Sequence, residues 1–216
     1  MKLTTDHRVE DVRWLSDETF VVRTERKGQG LRAGQCFSIG TRDAAINREY
    51  SIYSAEGDPY LEFLVRRVDG GAVSSALAQL AAGDVVQISG PYGSFCLSDD
   101  ESVRRRYVFV ASGTGIAPFA SFVRTYPHLD YRLFHGVRHD AETYDRDFYS
   151  PARYVPCISR PQSGDPLRVT RALSRENVDL EALYYLCGNR NMITDTVMVL
   201  REAGVPGGNI FMETFF

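Results

Sequence analysis

Near residue 100 the sequence changes its period, and that change constrains the fold more than any other feature. Before it, short apolar runs are separated by Gly, Asp and Pro turns: Phe20–Thr24, Gln35–Ile39, Tyr50–Ser54, Tyr60–Arg66 and Val85–Ser89. Such spacing predicts the strands of an antiparallel barrel. One helix is predicted at Val73–Ala81, where Val73, Leu77 and Leu80 share a face and Gly83 stops the run. A polar stretch, Ser98–Ser102, then leads into Arg104–Arg106, and afterwards strand and helix alternate. The pairs are Tyr107–Ala111 with Pro118–Tyr126, Tyr131–Gly136 with a polar segment, Tyr154–Ile158 with Arg171–Arg175, and Leu183–Cys187 with Met192–Glu202. That alternation predicts a parallel sheet covered by helices. The chain therefore reads as two domains, an antiparallel β-barrel over 1–99 and an α/β parallel-sheet domain over 100–216.

Composition narrows the function classes. With 216 residues, 44% of them hydrophobic, each half can bury a core. A net charge of −3 argues against a general nucleic-acid binder, which needs a basic excess. The start of the chain lacks a signal peptide's apolar core, and no apolar run approaches the roughly 20 residues of a membrane span, so a cytoplasmic location is expected. Cys36, Cys96, Cys157 and Cys187 have no paired short spacing, and His7, His128, His135 and His139 show no ligand spacing, so no metal site is expected. By default each cysteine is a small buried apolar residue; Cys187 stands in a context that suggests more.

Three segments carry chemistry. Strand Tyr107–Ala111 runs into Ser112-Gly113-Thr114-Gly115-Ile116-Ala117-Pro118 and a helix expected from Phe119. Glycines let backbone approach a pyrophosphate, and a helix N-terminus supplies free N–H groups and a positive dipole end. Leu183–Cys187 leads through Gly188 towards a second helix, and in a parallel sheet both Thr114 and Cys187 would fall at carboxyl ends of strands, where ligands bind. In the first half, Arg48, Tyr50, Ile52 and Ser54 are expected on one side of an extended strand, with Ser51 on the other. An Arg can pair with a pyrophosphate and a Tyr can lie along an aromatic ring system. Gly70–Ser74 opens a further helix.

Read in order, these segments resemble the ferredoxin–NADP+ reductase family. The resemblance rests on Arg-x-Tyr-Ser-x-x-Ser at 48–54, Gly-x-Val-Ser at 71–74, Gly-Pro-Tyr-Gly-x-Phe at 90–95, Gly-Thr-Gly-x-Ala-Pro at 113–118, Cys-Gly-x-x-x-Met at 187–192 and Glu-x-aromatic at 213–215. It implies a flavin-binding barrel followed by a nicotinamide-binding α/β domain. For FAD it implies Arg48 on the pyrophosphate, Tyr50 along the flavin, Ser51 near the reactive N5, Ile52 beside them, Gly71, Ala72, Val73 and Ser74 across the pyrophosphate, and Thr114 and Phe215 at the ring. For NADP(H) it implies Gly113, Thr114, Gly115, Arg138, Ser159, Arg160, Arg168, Cys187, Gly188 and Met192, with the Ser159-Arg160 pair and Arg168 holding the 2′-phosphate. Ser51, Cys187 and Glu213 would be catalytic.

By the same resemblance the electron acceptor is a ferredoxin- or flavodoxin-like carrier on a separate chain, since no four-cysteine ferredoxin segment is present. Arg66, Arg67 and Arg104–Arg106 are candidates for a basic face that would receive an acidic carrier. A flavin or quinone reductase, or the reductase component of an oxygenase, would use the same two domains.

Overall fold

The computed structural model describes residues 4–42, 46–97 and 105–215. The polar boundary stretch at 98–102, Arg104 and Phe216 lie outside the described residues. The chain divides into two compact units: one runs up to Leu97 and takes in Ala117–Thr125, and the other holds the residues leading to Ile116 and those from Tyr126 onward.

The first unit is built on strands β1 (Thr5–Trp14), β2 (Thr19–Glu25), β3 (Cys36–Thr41), β4 (Arg48–Ser51), β5 (Tyr60–Arg66) and β6 (Val85–Tyr92), with helix α1 (Ala72–Leu77) between β5 and β6. They form one antiparallel sheet in the order β4-β3-β6-β1-β2-β5, and an antiparallel bridge from Ile52 to Phe63 joins its two edges. A closed sheet has no free edge for foreign strands to join. Inward side chains Phe20, Val22, Phe37, Ile39, Ile52, Phe63 and Val86 form the core, and α1 adds Val73 and Leu77 to it.

Two expectations change here. Strand β1 was not anticipated, and the alternation expected of Arg48, Tyr50, Ile52 and Ser54 stops at Ser51. Ile52 donates its N–H to the Gln35 carbonyl and Tyr53 donates to Glu62, so the chain leaves β3 for β5 at this point. The switch of partner sends Ile52 into the core and leaves Tyr50 half-buried against it. Helix α1 also ends at Leu77 rather than Ala81, the chain turning as the Leu80 N–H meets the Leu77 carbonyl.

Helix α2 (Ala117–Thr125) belongs to this first unit. Ser121 donates to the Ser54 carbonyl at 2.7 Å, and Phe119 and Phe122 lie beside Phe95 with ring centroids 6.2 and 6.3 Å away. At its end Arg124 donates to the Tyr53 carbonyl (2.8 Å), to Glu62 (2.9 Å) and to Asp58 (2.7 Å). Glu62, 3% exposed, also accepts from Arg23 at 2.8 Å, so its carboxylate has a guanidinium on either side. A carboxylate this deep is tolerated because it is paired and hydrogen-bonded.

The second unit carries a parallel sheet of β7 (Tyr107–Ser112), β8 (Tyr131–Val137), β9 (Tyr154–Ile158), β10 (Leu183–Asn189) and β11 (Ile210–Phe215), in the order β11-β10-β7-β8-β9. Helices α3 (Val169–Ser174) and α4 (Arg190–Glu202) cover one face, over Val108, Val110, Phe134, Tyr184 and Leu186. The alternate residues Tyr131, Phe109, Tyr185 and Phe211 run across the other face, with neighbouring centroids 5.8, 6.2 and 4.6 Å apart. The polar segment after β8 contains two short 3-10 turns, Asp140–Glu142 and Arg146–Phe148. Cys157 and Cys187 are buried as expected, whereas Cys36 and Cys96 are half-exposed, which corrects the default reading for those two. Among the described residues no helix is long and apolar enough to cross a membrane.

Candidate functional site

In the second unit the candidate residues gather at the carboxyl edge of the parallel sheet. Between β7 and α2 the chain makes a 3-10 turn, Gly113–Ile116, and α2 begins at Ala117 rather than at Phe119. Ala111 pairs with Cys187, so the exits of β7 and β10 stand side by side. Gly115 passes so close to β10 that a Cβ built on it would lie 2.3 Å from the Cys187 carbonyl oxygen, inside any tolerable contact. Ser112 Oγ accepts the Asn189 N–H at 2.8 Å, tying the two exits together. Asn189 in turn caps α4, its side chain accepting from the Asn191 N–H. This arrangement leaves a glycine turn and the N-terminus of α4 at the same edge, both suited to phosphate oxygens.

Along that edge the ends of β8 and β9 bring together Arg138, Ser159 and Arg160. The Arg160 N–H donates to the Arg138 carbonyl at 2.8 Å, Ser159 Oγ donates to the Val137 carbonyl, and Glu142 accepts the Arg138 N–H at 2.8 Å. Arg168 takes the N-cap position of α3 in extended conformation, next to Leu167, whose N–H meets the Ile158 carbonyl. Arg138 and Arg160 are thus anchored by their backbones at the ends of adjacent strands, and Arg168 at the start of α3. Met192 lies in the first turn of α4, its sulfur accepting from Thr196.

Cys187 pairs in parallel register with Glu213, and Asn189 with Phe215. By strand alternation Cys187, Glu213 and Phe215 share the sheet face that carries Tyr185 and Phe211. Cys187 is fully buried, and burial, with the Glu213 charge added, raises its thiol well above the ordinary value. It is a neutral thiol at physiological pH, suited to packing and to a weak S–H contact, and not a nucleophile.

In the first unit, β4 presents Arg48 exposed, Tyr50 half-buried and Ser51 buried. Tyr50 sits opposite Phe37, and burial pushes its phenol up to about 12, so it is a neutral ring. The side chains at the start of α1 turn inward: Val73 enters the core, and Ser74 Oγ accepts the Val68 N–H at 3.1 Å. The Gly71 N–H donates to the Val68 carbonyl at 2.8 Å, so what this segment can offer a ligand is the backbone N–H of Ala72–Ser74, since the first amides of a helix have no partner within it. Of the expected basic residues, Arg66 is paired with Glu18 at 2.8 Å and Arg67 lies over Trp14, while Arg105 and Arg106 are exposed in the second unit.

The sequence reading did not single out Ser112, Asn189, Glu142 or His135. Ser112, Asn189 and His135 act by hydrogen bonds that strand pairing makes possible, whereas Glu142 acts locally, on the Arg138 N–H four residues before it. The one signal in the sequence is that each lies within a few residues of a strand's carboxyl end.

Comparison with known proteins finds two domain families along the chain. Residues 7–97 match the oxidoreductase FAD-binding domain and residues 109–198 the oxidoreductase NAD-binding domain. The toluate 1,2-dioxygenase electron transfer component of Pseudomonas putida is 29% identical over 96% of this chain and 66% of its own length. The reductase subunit of an aromatic O-demethylase from Amycolatopsis is 35% identical over 60% of this chain and 43% of its own. The chain thus spans between about two fifths and two thirds of these relatives. Among solved structures, an Amycolatopsis cytochrome P450 reductase superposes with a TM-score of 0.89 at 27% identity, over all of this chain and 71% of that one. A ferredoxin NADP+ reductase from Neisseria gonorrhoeae, with bound FAD and NADP, shares the fold with a TM-score of 0.87 at 24% identity, over 99% of each chain.

Proposed function

This chain belongs to the ferredoxin reductase family of FAD- and NAD(P)-binding oxidoreductases, and from that premise we propose that it takes electrons from NADPH through bound FAD and hands them to a separate iron–sulfur or flavin carrier protein. The observation that carries the reading is the joined exit of β7 and β10, where Gly115 meets Cys187 and Ser112 meets Asn189. A glycine turn and a helix N-terminus held together at the edge of a parallel sheet form a dinucleotide cradle.

In this reading Arg48, the backbone of Gly71 and the free amides of Ala72–Ser74 hold the FAD diphosphate, Tyr50 lies along the ring system and Ser51 stands near its N5. Thr114 and Phe215 face the flavin. Gly113–Gly115, Gly188 and Met192 receive the nicotinamide nucleotide, Arg138, Ser159, Arg160 and Arg168 hold its 2′-phosphate, and Cys187 and Glu213 flank the hydride path. The bound flavin supplies the exchange between a two-electron hydride and single electrons; the protein supplies alignment. The neutral thiol of Cys187 suits that task, because it fills space beside the nicotinamide without competing for the hydride.

The curated relatives support a second reading of the partner, since several are described as reductase components of oxygenases, among them the propane 2-monooxygenase reductase component of Rhodococcus jostii at 25% identity. Purified protein should be yellow with FAD, bleach on anaerobic addition of NADPH, and reduce a low-potential ferredoxin faster than free flavin or quinone. Arg48→Ala should weaken FAD retention about ten- to a hundredfold through loss of a charge-assisted bond. A colourless protein that no flavin restores would end the reading. Rapid turnover of free flavin with none of ferredoxin would move it to the flavin-reductase alternative.

A further inference from the structure

We propose that His135 is a positioning residue: its imidazole, oriented by the Tyr154 hydroxyl, holds the Gly113 carbonyl and so fixes the turn Gly113–Ile116 in the shape that receives the dinucleotide. The proposal rests on the reading of that turn as the nucleotide site.

Parallel pairing sets Ala111 beside His135 and Ser112 beside Gly136, which puts His135 next to the point where β7 ends. The side chain is wholly buried, with Nε2 2.9 Å from the Gly113 carbonyl oxygen and Nδ1 2.8 Å from the Tyr154 hydroxyl. A carbonyl can only accept, so Nε2 carries the hydrogen, and Nδ1, its lone pair free, accepts from the tyrosine. Burial holds the imidazole neutral, at about 4, and raises the Tyr154 phenol, so this arrangement of protons persists through neutral pH. Tyr154 is itself fixed: Tyr149 stacks on it at 5.1 Å and Arg146 lies 5.9 Å from its ring centre.

A buried imidazole costs free energy unless both nitrogens are satisfied, and an aliphatic side chain would fill a core position without that demand. What the imidazole adds is a donor aimed at the first residue after β7. Gly113 has left the strand with φ of 53°, so its carbonyl takes a side-chain donor. From the β10 side Ser112 accepts the Asn189 N–H. The entrance to the turn is therefore pinned from both neighbouring strands, by His135 on β8 and by Asn189 on β10.

Three variants of the full-length flavoprotein separate this role from simple core filling. In His135→Gln the amide nitrogen reaches about as far as Nε2 and keeps the donor to Gly113; in His135→Leu it is lost; in Tyr154→Phe the orienting hydroxyl is lost. NADP+ affinity, read from the flavin difference spectrum, should fall about tenfold in His135→Leu, stay close to wild type in His135→Gln, and fall between these in Tyr154→Phe, with FAD content unchanged in all three. Long-range 1H–15N spectra of the wild type should report the neutral Nε2–H tautomer. If His135→Leu fails to fold, His135→Asn, whose shorter amide meets Tyr154 but not Gly113, should show the same loss. Equal affinity in wild type and the donor-less variant, or an Nδ1–H tautomer, would overturn the proposal alone. A wild type that binds no NADP+ would instead remove the nucleotide reading on which it rests.

Discussion

Arg124 and Glu62 meet across 2.9 Å inside the first unit, the arginine 16% and the glutamate 3% exposed, although 61 residues separate them in the chain. The pair fastens α2 to the barrel, and Asp58, Arg23 and the Tyr53 carbonyl complete its hydrogen bonds. Removing Arg124 takes from the buried Glu62 carboxylate one of its two guanidinium groups and from Asp58 its ion pair. Arg124→Met should therefore lower stability by about 3 kcal/mol or more, and adding Glu62→Gln should restore part of the loss. Denaturant titrations of the single and double variants measure both; additive losses would mean that the two side chains do not depend on each other.

Gly115→Ala should impair the nucleotide site and spare the flavin site. A methyl group 2.3 Å from the Cys187 carbonyl must push the turn away from β10. Anaerobic reduction by NADPH is expected to slow by about two orders of magnitude, the scale of a misplacement of about 1 Å, while FAD still co-purifies. A variant reduced at the wild-type rate would show that the turn can shift without consequence.

Much of the architecture was legible in period alone. The strands at Tyr60–Arg66 and Tyr154–Ile158 stand where the apolar runs begin and end, the first buried almost throughout and the second with no exposed residue. Strand β1 escaped for a physical reason. Its sequence Thr5-Asp6-His7-Arg8-Val9-Glu10-Asp11-Val12-Arg13-Trp14 buries only His7 and Val9 among its residues, and an irregularity in register between Val9 and Asp11 breaks the two-residue period. The glycine turn was visible as a motif, but the bonds that hold it were not. Ser112 to Asn189 and His135 to Gly113 depend on which strands are neighbours, and a parallel sheet pairs strands that are far apart in sequence.

Stability should also depend on pH through His135. Its native value near 4 lies below the ordinary histidine value of 6.5, so between the two the unfolded chain binds the proton more readily. Stability then rises with pH across that window: the full contribution is present above about 6.5 and is lost as pH falls towards 4, on the order of 3 kcal/mol. Comparing unfolding at pH 7 and pH 5 in wild type and His135→Gln isolates this share from that of the carboxylates. The same pH slope in both proteins would assign it elsewhere.

Nucleotide choice should reside at the ends of β8 and β9. Arg160 is tied through its backbone to Arg138, and Arg168 starts α3, so their guanidinium groups project from fixed points. Arg160→Ala and Arg168→Ala should each raise the Michaelis constant for NADPH about tenfold or more and leave that for NADH nearly unchanged, because only the former carries a 2′-phosphate to match a planar guanidinium. Steady-state kinetics with both nucleotides decide the matter; equal changes would withdraw these arginines from phosphate binding.

The excursion of the chain from Ile116 into α2 and back at Tyr126 bears on how such proteins can be recombined. The NAD-binding match, residues 109–198, carries α2 with it, although that helix folds as part of the other compact unit. A chimera joined near residue 100 would import a foreign helix against the native barrel, and its fate would turn on whether the donor brings a cation to Glu62 and a hydroxyl to the Ser54 carbonyl. Successful grafts should therefore keep residues 117–125 from the barrel's own parent, so that the genetic unit of exchange is a segment with a hole in it.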